Sequence, residues 1–386
     1  MILRILFLLV ILLLLPIWGI DKMLMRKRWK FPYRLLLYLP NIILLLLLII
    51  VSVNERYTLD AALLKGYLLT TTLCVAIPEC IVSVLLLLGF FLKRKERAYK
   101  WYAGFSLLSG VVVFSLLLYG FTMGHSKLIV KDFEYTSHKV PVSFEGYKIV
   151  QISDFHLGTL HGNPDMVQKI VNAVNGLSPD LIVFTGDLVN YQAEELSEFK
   201  SILSEFQAVD GVVSVMGNHD YMNYHKWATE NDRLADIQKL QKGMGDMGWK
   251  LLLNENLVLR KGSDSIAVLG VENDGKPPFP SLGDLGKAQE GIDEDCFKIL
   301  LSHDPSFWRR SVLSKTNISL TLSGHTHGMQ FKLGDFSPAS WFYLEWGGEY
   351  SENQQTLYVS LGVGEVLLPF RLGAWPEINL ITLSTE

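Results

Sequence analysis

The first third of the chain holds four apolar stretches, residues 1–20, 35–53, 68–92 and 101–121. Each is close to the roughly 20 residues a helix needs to cross a bilayer core. In hydrocarbon every backbone N–H and C=O must be paired within its own segment, so runs of this kind fold as helices or not at all. The first stretch is longer than a signal-peptide core and lacks a small-residue cleavage site before Asp21 and Lys22, so it is read as a retained span. Residues 21–34 carry six basic side chains (Lys22, Arg26, Lys27, Arg28, Lys30, Arg34) and residues 93–100 carry five, against two basic and two acidic in 54–67. Cytoplasmic loops hold the Lys and Arg excess, which places both basic loops inside and, with four spans, everything after residue 125 outside. Two polar features interrupt the spans. Pro78-Glu79 sets a carboxylate near the middle of the third, and Pro40-Asn41 reads as a kink or helix contact in the second.

Residues 126–386 are a different object, about 260 residues that suffice for one domain with its own core. The expected division is therefore a helical membrane region over 1–125 and a globular domain over 126–386. The membrane part has 14 basic and 5 acidic residues, whereas the globular part has 21 basic and 34 acidic, a net charge of −13. That charge excludes nucleic acid as the favoured partner, because phosphate backbones are held by basic surfaces. Cys74 and Cys80 lie in the third span and Cys296 stands alone, so no disulfide framework is implied.

Short apolar runs at 128–135, 148–152, 181–184, 212–216, 297–301 and 318–322 read as strands. Residues 163–175 and 194–207 carry helical spacing, and 270–286, rich in Pro, Gly and Asp, reads as a long surface loop placed to cap a pocket. The last five of those runs each end in a block of metal-ligand residues: Asp154-x-His156, Gly186-Asp187, Gly217-Asn218-His219-Asp220, Ser302-His303 and Gly324-His325-Thr326-His327. Ligands on loops at strand ends converge in one crevice in α/β architectures. The donors are carboxylates, an amide and imidazoles with no thiolate, a set suited to Mn, Fe, Zn or Co. Seven donors exceed one tetrahedral ion, and two ions about 3.5–4 Å apart are the economical reading.

In order and local sequence these blocks resemble the calcineurin-like metallophosphoesterase superfamily, over roughly residues 147–383, and within it the membrane-associated branch that includes UDP-2,3-diacylglucosamine pyrophosphatase-like enzymes of lipid A assembly. The resemblance implies a four-layer α/β sandwich, two mixed sheets flanked by helices. It also implies two divalent ions, Mn, Fe or Zn: Asp154, His156 and His327 on the first, Asn218, His303 and His325 on the second, and Asp187 bridging. A bridging hydroxide would be the nucleophile, and His219 would contact the phosphate and protonate the leaving group.

The chain departs from the family at Asn190, where many members carry an Asp that pairs with the leaving-group histidine, at Met329 in place of a second Gly, and at Leu361 in place of an Arg. An amide orients His219 without balancing its charge, which implies weaker acid catalysis. Asn190 is an expected substrate contact, and Arg371 reads as a phosphate contact or as one half of a structural ion pair. Trp341, Phe342, Tyr343 and Trp346 form an aromatic cluster that reads as a membrane-interface contact, an apolar substrate groove or ordinary packing. The resulting expectation is a membrane-anchored phosphoesterase or phosphodiesterase on the extracytoplasmic face of a bacterial inner membrane, acting on a phosphorylated small molecule or a lipid-linked substrate such as UDP-2,3-diacylglucosamine. The alternative is a membrane receptor or scaffold that binds a phosphorylated ligand without turnover.

Overall fold

Alternation of apolar side chains along short β-branched runs decides the globular part. The computed structural model describes residues 2–25, 29–53, 59–277 and 279–386. The chain divides into two units, Met1–Met123 with Leu367–Phe370, and Gly124–Val366 with Arg371–Glu386.

In the second unit β1 (Ile129–Thr136), β2 (Lys148–Ile152), β3 (Leu181–Phe184), β4 (Val212–Ser214), β5 (Trp249–Leu251) and β12 (Glu377–Ser384) form one mixed sheet in the order β1-β12-β2-β3-β4-β5. The other sheet runs β10-β11-β9-β8-β7-β6, from β6 (Glu255–Lys261), β7 (Asp264–Gly270), β8 (Phe297–Leu301), β9 (Leu320–Ser323), β10 (Gly348–Glu352) and β11 (Gln355–Val359). Ile149, Leu181, Val183 and Val213 point from the first sheet into a shared core with Ile266, Val268, Ile299 and Leu322 of the second. Their sequence neighbours Val150, Ile182 and Phe184 face the other way, onto Val167, Ile170, Val171 and Val174 of α5 (Pro164–Gly176) and Leu240 and Met244 of α7 (Glu230–Asp246). Leu269, Leu300 and Val359 likewise face outward onto Phe307, Trp308 and Val312. The period of two thus covers both faces of each sheet and makes the four-layer sandwich.

Caps set the helix starts. Asn163 accepts the Met166 N–H ahead of a Pro at the first helical position of α5, and Thr229 with Asp232 closes a capping box on α7. The helix expected over 194–207 does not form as one piece. It is replaced by a tight turn at Ala193–Leu196 and the single turn α6 (Lys200–Leu203), because buried Glu195 turns back to accept the N–H groups of Gly158, Asn190, Tyr191 and Gln192.

The first unit contains α1 (Ile2–Ile20), α2 (Phe31–Val53), α3 (Leu59–Leu88) and α4 (Glu96–Thr122). Among the described residues three helices are long and apolar enough to cross a membrane, over Phe31–Val51, Leu63–Phe91 and Glu96–Ser126. The expected first span begins at Met1, which lies outside the described residues; its helix α1 is 19 residues long and buries Leu13, Ile17 and Ile20 among the other helices. Basic residues 26–28 and the connection at 54–58 also lie outside the described residues. Small side chains allow close packing: a Cβ on Gly110 of α4 would fall 2.4 Å from Val82 of α3. Of the two readings of Pro40-Asn41, a kink or a helix contact, Asn41 takes the second, its amide donating to Leu13 O and to Glu79 Oε2, each at 2.6 Å.

Candidate metal centre

Each of the five ligand blocks follows a strand, and β2, β3 and β4 lie side by side and parallel in one sheet while β8 and β9 do so in the other. Their loops therefore leave from C-terminal strand ends. These loops turn sharply: Asp154, His156, Asp187, His325 and His327 have φ between 49° and 76°. Non-glycine residues adopt that left-handed region at a cost, and only when the surroundings over-determine them. Here backbone bonds do so, Asp154 N to Gly186 O at 2.9 Å and His156 N to Asp187 O at 3.2 Å. The buried Asp220 carboxylate gathers the N–H groups of Asp187, Leu188, Val189 and Gly217 at 2.8–3.2 Å, tying the second block to the third. Burial and neighbouring Asp187 nonetheless push Asp220 up to about 7.

The side chains form two groups that share one oxygen. His156 Nε2 and His327 Nε2 face each other at 3.1 Å, with His327 Nε2 3.2 Å from Asp154 Oδ1 and His156 Nε2 3.6 Å from Asp187 Oδ2. On the other side His303 Nε2 lies 3.1 Å from the same Asp187 Oδ2, 3.2 Å from Asn218 Oδ1 and 3.2 Å from His325 Nδ1. Asp187 Oδ1 is taken by the His219 N–H at 2.8 Å, which leaves Oδ2 facing both groups. In each of the triads Asp154–His156–His327 and Asp187–His303–His325 the ligand atoms lie within 4.8 Å of one another.

Do these residues fit a metal? His303 Nδ1 donates to Thr185 O at 2.8 Å, so the neutral ring presents an Nε2 lone pair to a carboxylate oxygen and an amide oxygen. Three acceptors aimed at one point are a cation site. When Nε2 carries a proton instead, the ring pairs with those same oxygens: burial opposes charge on His303, but Asp187 and Asp154 overcome it and push the ring up to about 10, a pull for positive charge that a cation would satisfy in place of the proton. Burial holds His156 well below the ordinary imidazole range and His325 at about 4, so both rings are neutral.

The neighbours complete the geometry. His325 Nε2 meets Tyr343 Oη at 2.6 Å, and Asn218 Nδ2 donates to Tyr224 Oη at 2.9 Å, turning its Oδ1 inward. His219 packs on the Tyr224 ring at 4.3 Å and its Nδ1 is 2.8 Å from the backbone carbonyl of Asn190. So the Asn190 carbonyl, rather than its side chain, orients His219; the side-chain amide sits 3.4 Å from His156 Nδ1. Phe279, from the loop expected to cap the pocket, stands edge-on to His325 at 4.9 Å.

Of the two readings of Arg371, its surroundings favour the structural one, with carbonyls as its hydrogen-bond partners. It is fully buried, donates to the carbonyls of Leu361, Gly364 and Ala374, and lies 3.1 Å from His327 Nδ1. A guanidinium engaged on four carbonyls, Trp375 O at 3.5 Å being the fourth, is a brace for this stretch of chain and the His327 ring. Sequence reasoning missed Tyr343, Tyr224 and the role of Asp220. Asp220 stood inside the third block and Tyr343 inside the aromatic cluster, whereas Tyr224 carried no signal of its own.

A family model described as calcineurin-like phosphoesterase matches residues 147–329. A Danio rerio transmembrane protein with metallophosphoesterase domain is 30% identical over 310 residues, covering 77% of this chain and 67% of that protein. Its Bos taurus namesake is 31% identical over 265 residues, 66% of this chain and 56% of that one. The Bacillus subtilis metallophosphoesterase YkuE is 30% identical over 289 residues, covering 69% of this chain and 90% of YkuE. With relatives matched at this level and the family model lying over the whole ligand-bearing core, the chain belongs to the calcineurin-like phosphoesterase family, as a metal-dependent phosphoesterase carried on membrane-spanning helices.

Proposed function

We propose that this chain hydrolyses phosphoester or pyrophosphate bonds of an amphiphilic, lipid-linked substrate at the extracytoplasmic face of a bacterial inner membrane, using two divalent ions, Mn, Fe or Zn. The domain over 126–386 does the chemistry and the region over 1–125 anchors it. Asp154, His156 and His327 hold one ion, Asn218, His303 and His325 the other, and Asp187 joins them. The observation that carries this reading is the single Asp187 oxygen lying 3.1 Å from His303 Nε2 and 3.6 Å from His156 Nε2, one imidazole from each group. Bound ions supply charge neutralisation on the phosphoryl oxygens and an acidified water.

The chain's own residues do the rest. His219, its Nδ1 proton held by the Asn190 carbonyl, keeps Nε2 for the leaving oxygen and acts as proton donor when charged. Arg371 braces His327 and Tyr343 braces His325, so ring orientation survives turnover. A substrate of the UDP-2,3-diacylglucosamine type fits the apolar surroundings; phospholipid or cell-wall phosphodiesters are the class that fits an outward domain.

The test is hydrolysis of bis-p-nitrophenyl phosphate by the full chain in detergent with Mn²⁺, beside Asp187→Asn and a chelator. Both controls should lower turnover at least 100-fold. Turnover that survives Asp187→Asn would sink the two-ion reading, and a metal-loaded, folded protein silent on phosphoesters would favour ligand binding without turnover.

A further inference from the structure

After the last ligand block the chain leaves the metal centre at Gln330 and returns to it at Tyr343. In between it exposes Leu333, Phe336, Trp341 and Phe342, with Met329 and Leu344 just outside, each between 44% and 73% open. The other large apolar side chains exposed in this unit, such as Val142, Val209 and Leu282, are scattered along the chain. Six within 16 residues make a patch, and patches of that kind mark contact surfaces.

This segment is built. Leu333 and Phe336 exchange backbone hydrogen bonds at 2.9 and 3.1 Å, Ser337 caps the turn Pro338–Trp341 while its hydroxyl donates to Gly328 O at 2.6 Å, and the Phe336 and Trp341 rings lie 5.8 Å apart. Apolar side chains held outward by satisfied backbone and caps are presented.

We infer that segment 333–344 is a membrane-docking surface, seated in the lipid–water interface of the bilayer that the chain's own helices cross. Three observations select a bilayer over another partner. The chain next to the segment runs into the helical unit: Leu367–Phe370 groups with the helices, two residues from Leu372, the bridge partner of Phe331. Its one charged residue is Asp335, with Lys332 just ahead of it, in a domain of net charge −13, so it offers an electrically quiet face. Its composition, Trp and Phe with Leu, is that of interfacial anchors. Tyr343, between exposed Phe342 and Leu344, points back to His325, so the docked face adjoins the metal centre directly. Delivery of a lipid substrate to that centre rests on the proposed turnover; the docking itself does not.

The experiment reads depth without substrate. In the full chain with Cys74, Cys80 and Cys296 replaced by Ala, Leu344→Cys carries an environment-sensitive nitrobenzoxadiazole label, and Val209→Cys serves as the distant control. In phosphatidylcholine nanodiscs, shallow spin-labelled lipid should quench the 344 label at least threefold more than the 209 label, and Leu333→Ser with Trp341→Ser should halve that difference. Equal, weak quenching at both positions overturns the proposal. So does a shielded 344 label with energy transfer between two copies, which would make the face a dimer contact. Should the cysteine-free chain misfold, the native chain suffices: quenching of its tryptophan fluorescence by shallow brominated lipid should fall in Trp341→Phe, and an unchanged quenching profile overturns the docking.

Discussion

Tyr343 is the residue whose single atom tests the centre best. Its hydroxyl meets the outer nitrogen of His325, and loss of such an outer-shell partner typically costs 10–100-fold in metal affinity or activity. Tyr343→Phe should therefore weaken metal binding by about tenfold with the fold intact, read by metal titration of turnover beside bound metal per chain. Arg371→Lys tests the brace: an ammonium cannot reach the four carbonyls that the guanidinium serves, and the variant should lose stability on the order of 2–4 kcal/mol, read as a lower thermal midpoint. Glu365 offers a pH test. Burial outweighs Arg371 and pushes its carboxyl up to about 8; among the described residues its Oε1 makes no hydrogen bond, with His125 Nδ1 at 3.7 Å. The folded state thus holds this proton more tightly than the unfolded chain, whose value is about 4.5. Its contribution is complete below pH 4.5 and is lost as pH rises through 8. Thermal midpoints of the native protein should fall across that window, and Glu365→Gln should flatten the fall; an identical slope in both would exclude Glu365 as its source.

At the scale of elements, the site depends on loops pressed closer than side chains allow. A Cβ on Gly217 would lie 2.2 Å from Asp187 Oδ1, and one on Gly324 would lie 1.9 Å from Ser153 Oγ and 2.3 Å from Asp154 Oδ2. Neither neighbour can retreat, since Asp187 and Asp154 are fixed by backbone bonds on both sides. Gly217→Ala and Gly324→Ala should each cut bound metal and turnover at least tenfold while the far-ultraviolet circular dichroism keeps its native shape. Retention of full metal content by either would show that the strand ends have slack. The strands themselves were legible because each alternates or runs apolar between turn signals. The 194–207 segment was misread as one helix because its apolar spacing is helical, while the carboxylate of Glu195 binding four backbone N–H groups is a tertiary event.

For the whole molecule the issue is which side of the membrane the acidic domain occupies. The basic loops at 21–34 and 93–100 place the domain outside if all four helices span. Alkaline phosphatase fused after Glu386 should then be active in bacterial cells and a fluorescent protein fused there dark. The reverse pattern would put the domain inside and remove one span from the count. Cys74 and Cys80 lie in α3 and Cys296 is the single cysteine of the domain, so an outward domain without a disulfide is permissible.

The sequence by itself determined the local periods and the chemical blocks: helices where apolar runs reach membrane length, strands where they are short, and metal-ligand residues where those strands stop. The division of those donors into two groups came from the resemblance of the blocks to a known family, not from their spacing. The tertiary structure decided what no spacing contains. Sheet order put β2, β3 and β4 against one another and brought the β8 and β9 loops to the same point, so that one oxygen of Asp187 faces both groups. Burial and long-range hydrogen bonds made Arg371 a brace on His327 rather than a phosphate contact, and made Tyr343 a partner of His325 while its neighbours stayed exposed. Such roles depend on which atoms lie within about 3 Å across more than ten residues of chain, and pairing at that range is set by packing of the whole core.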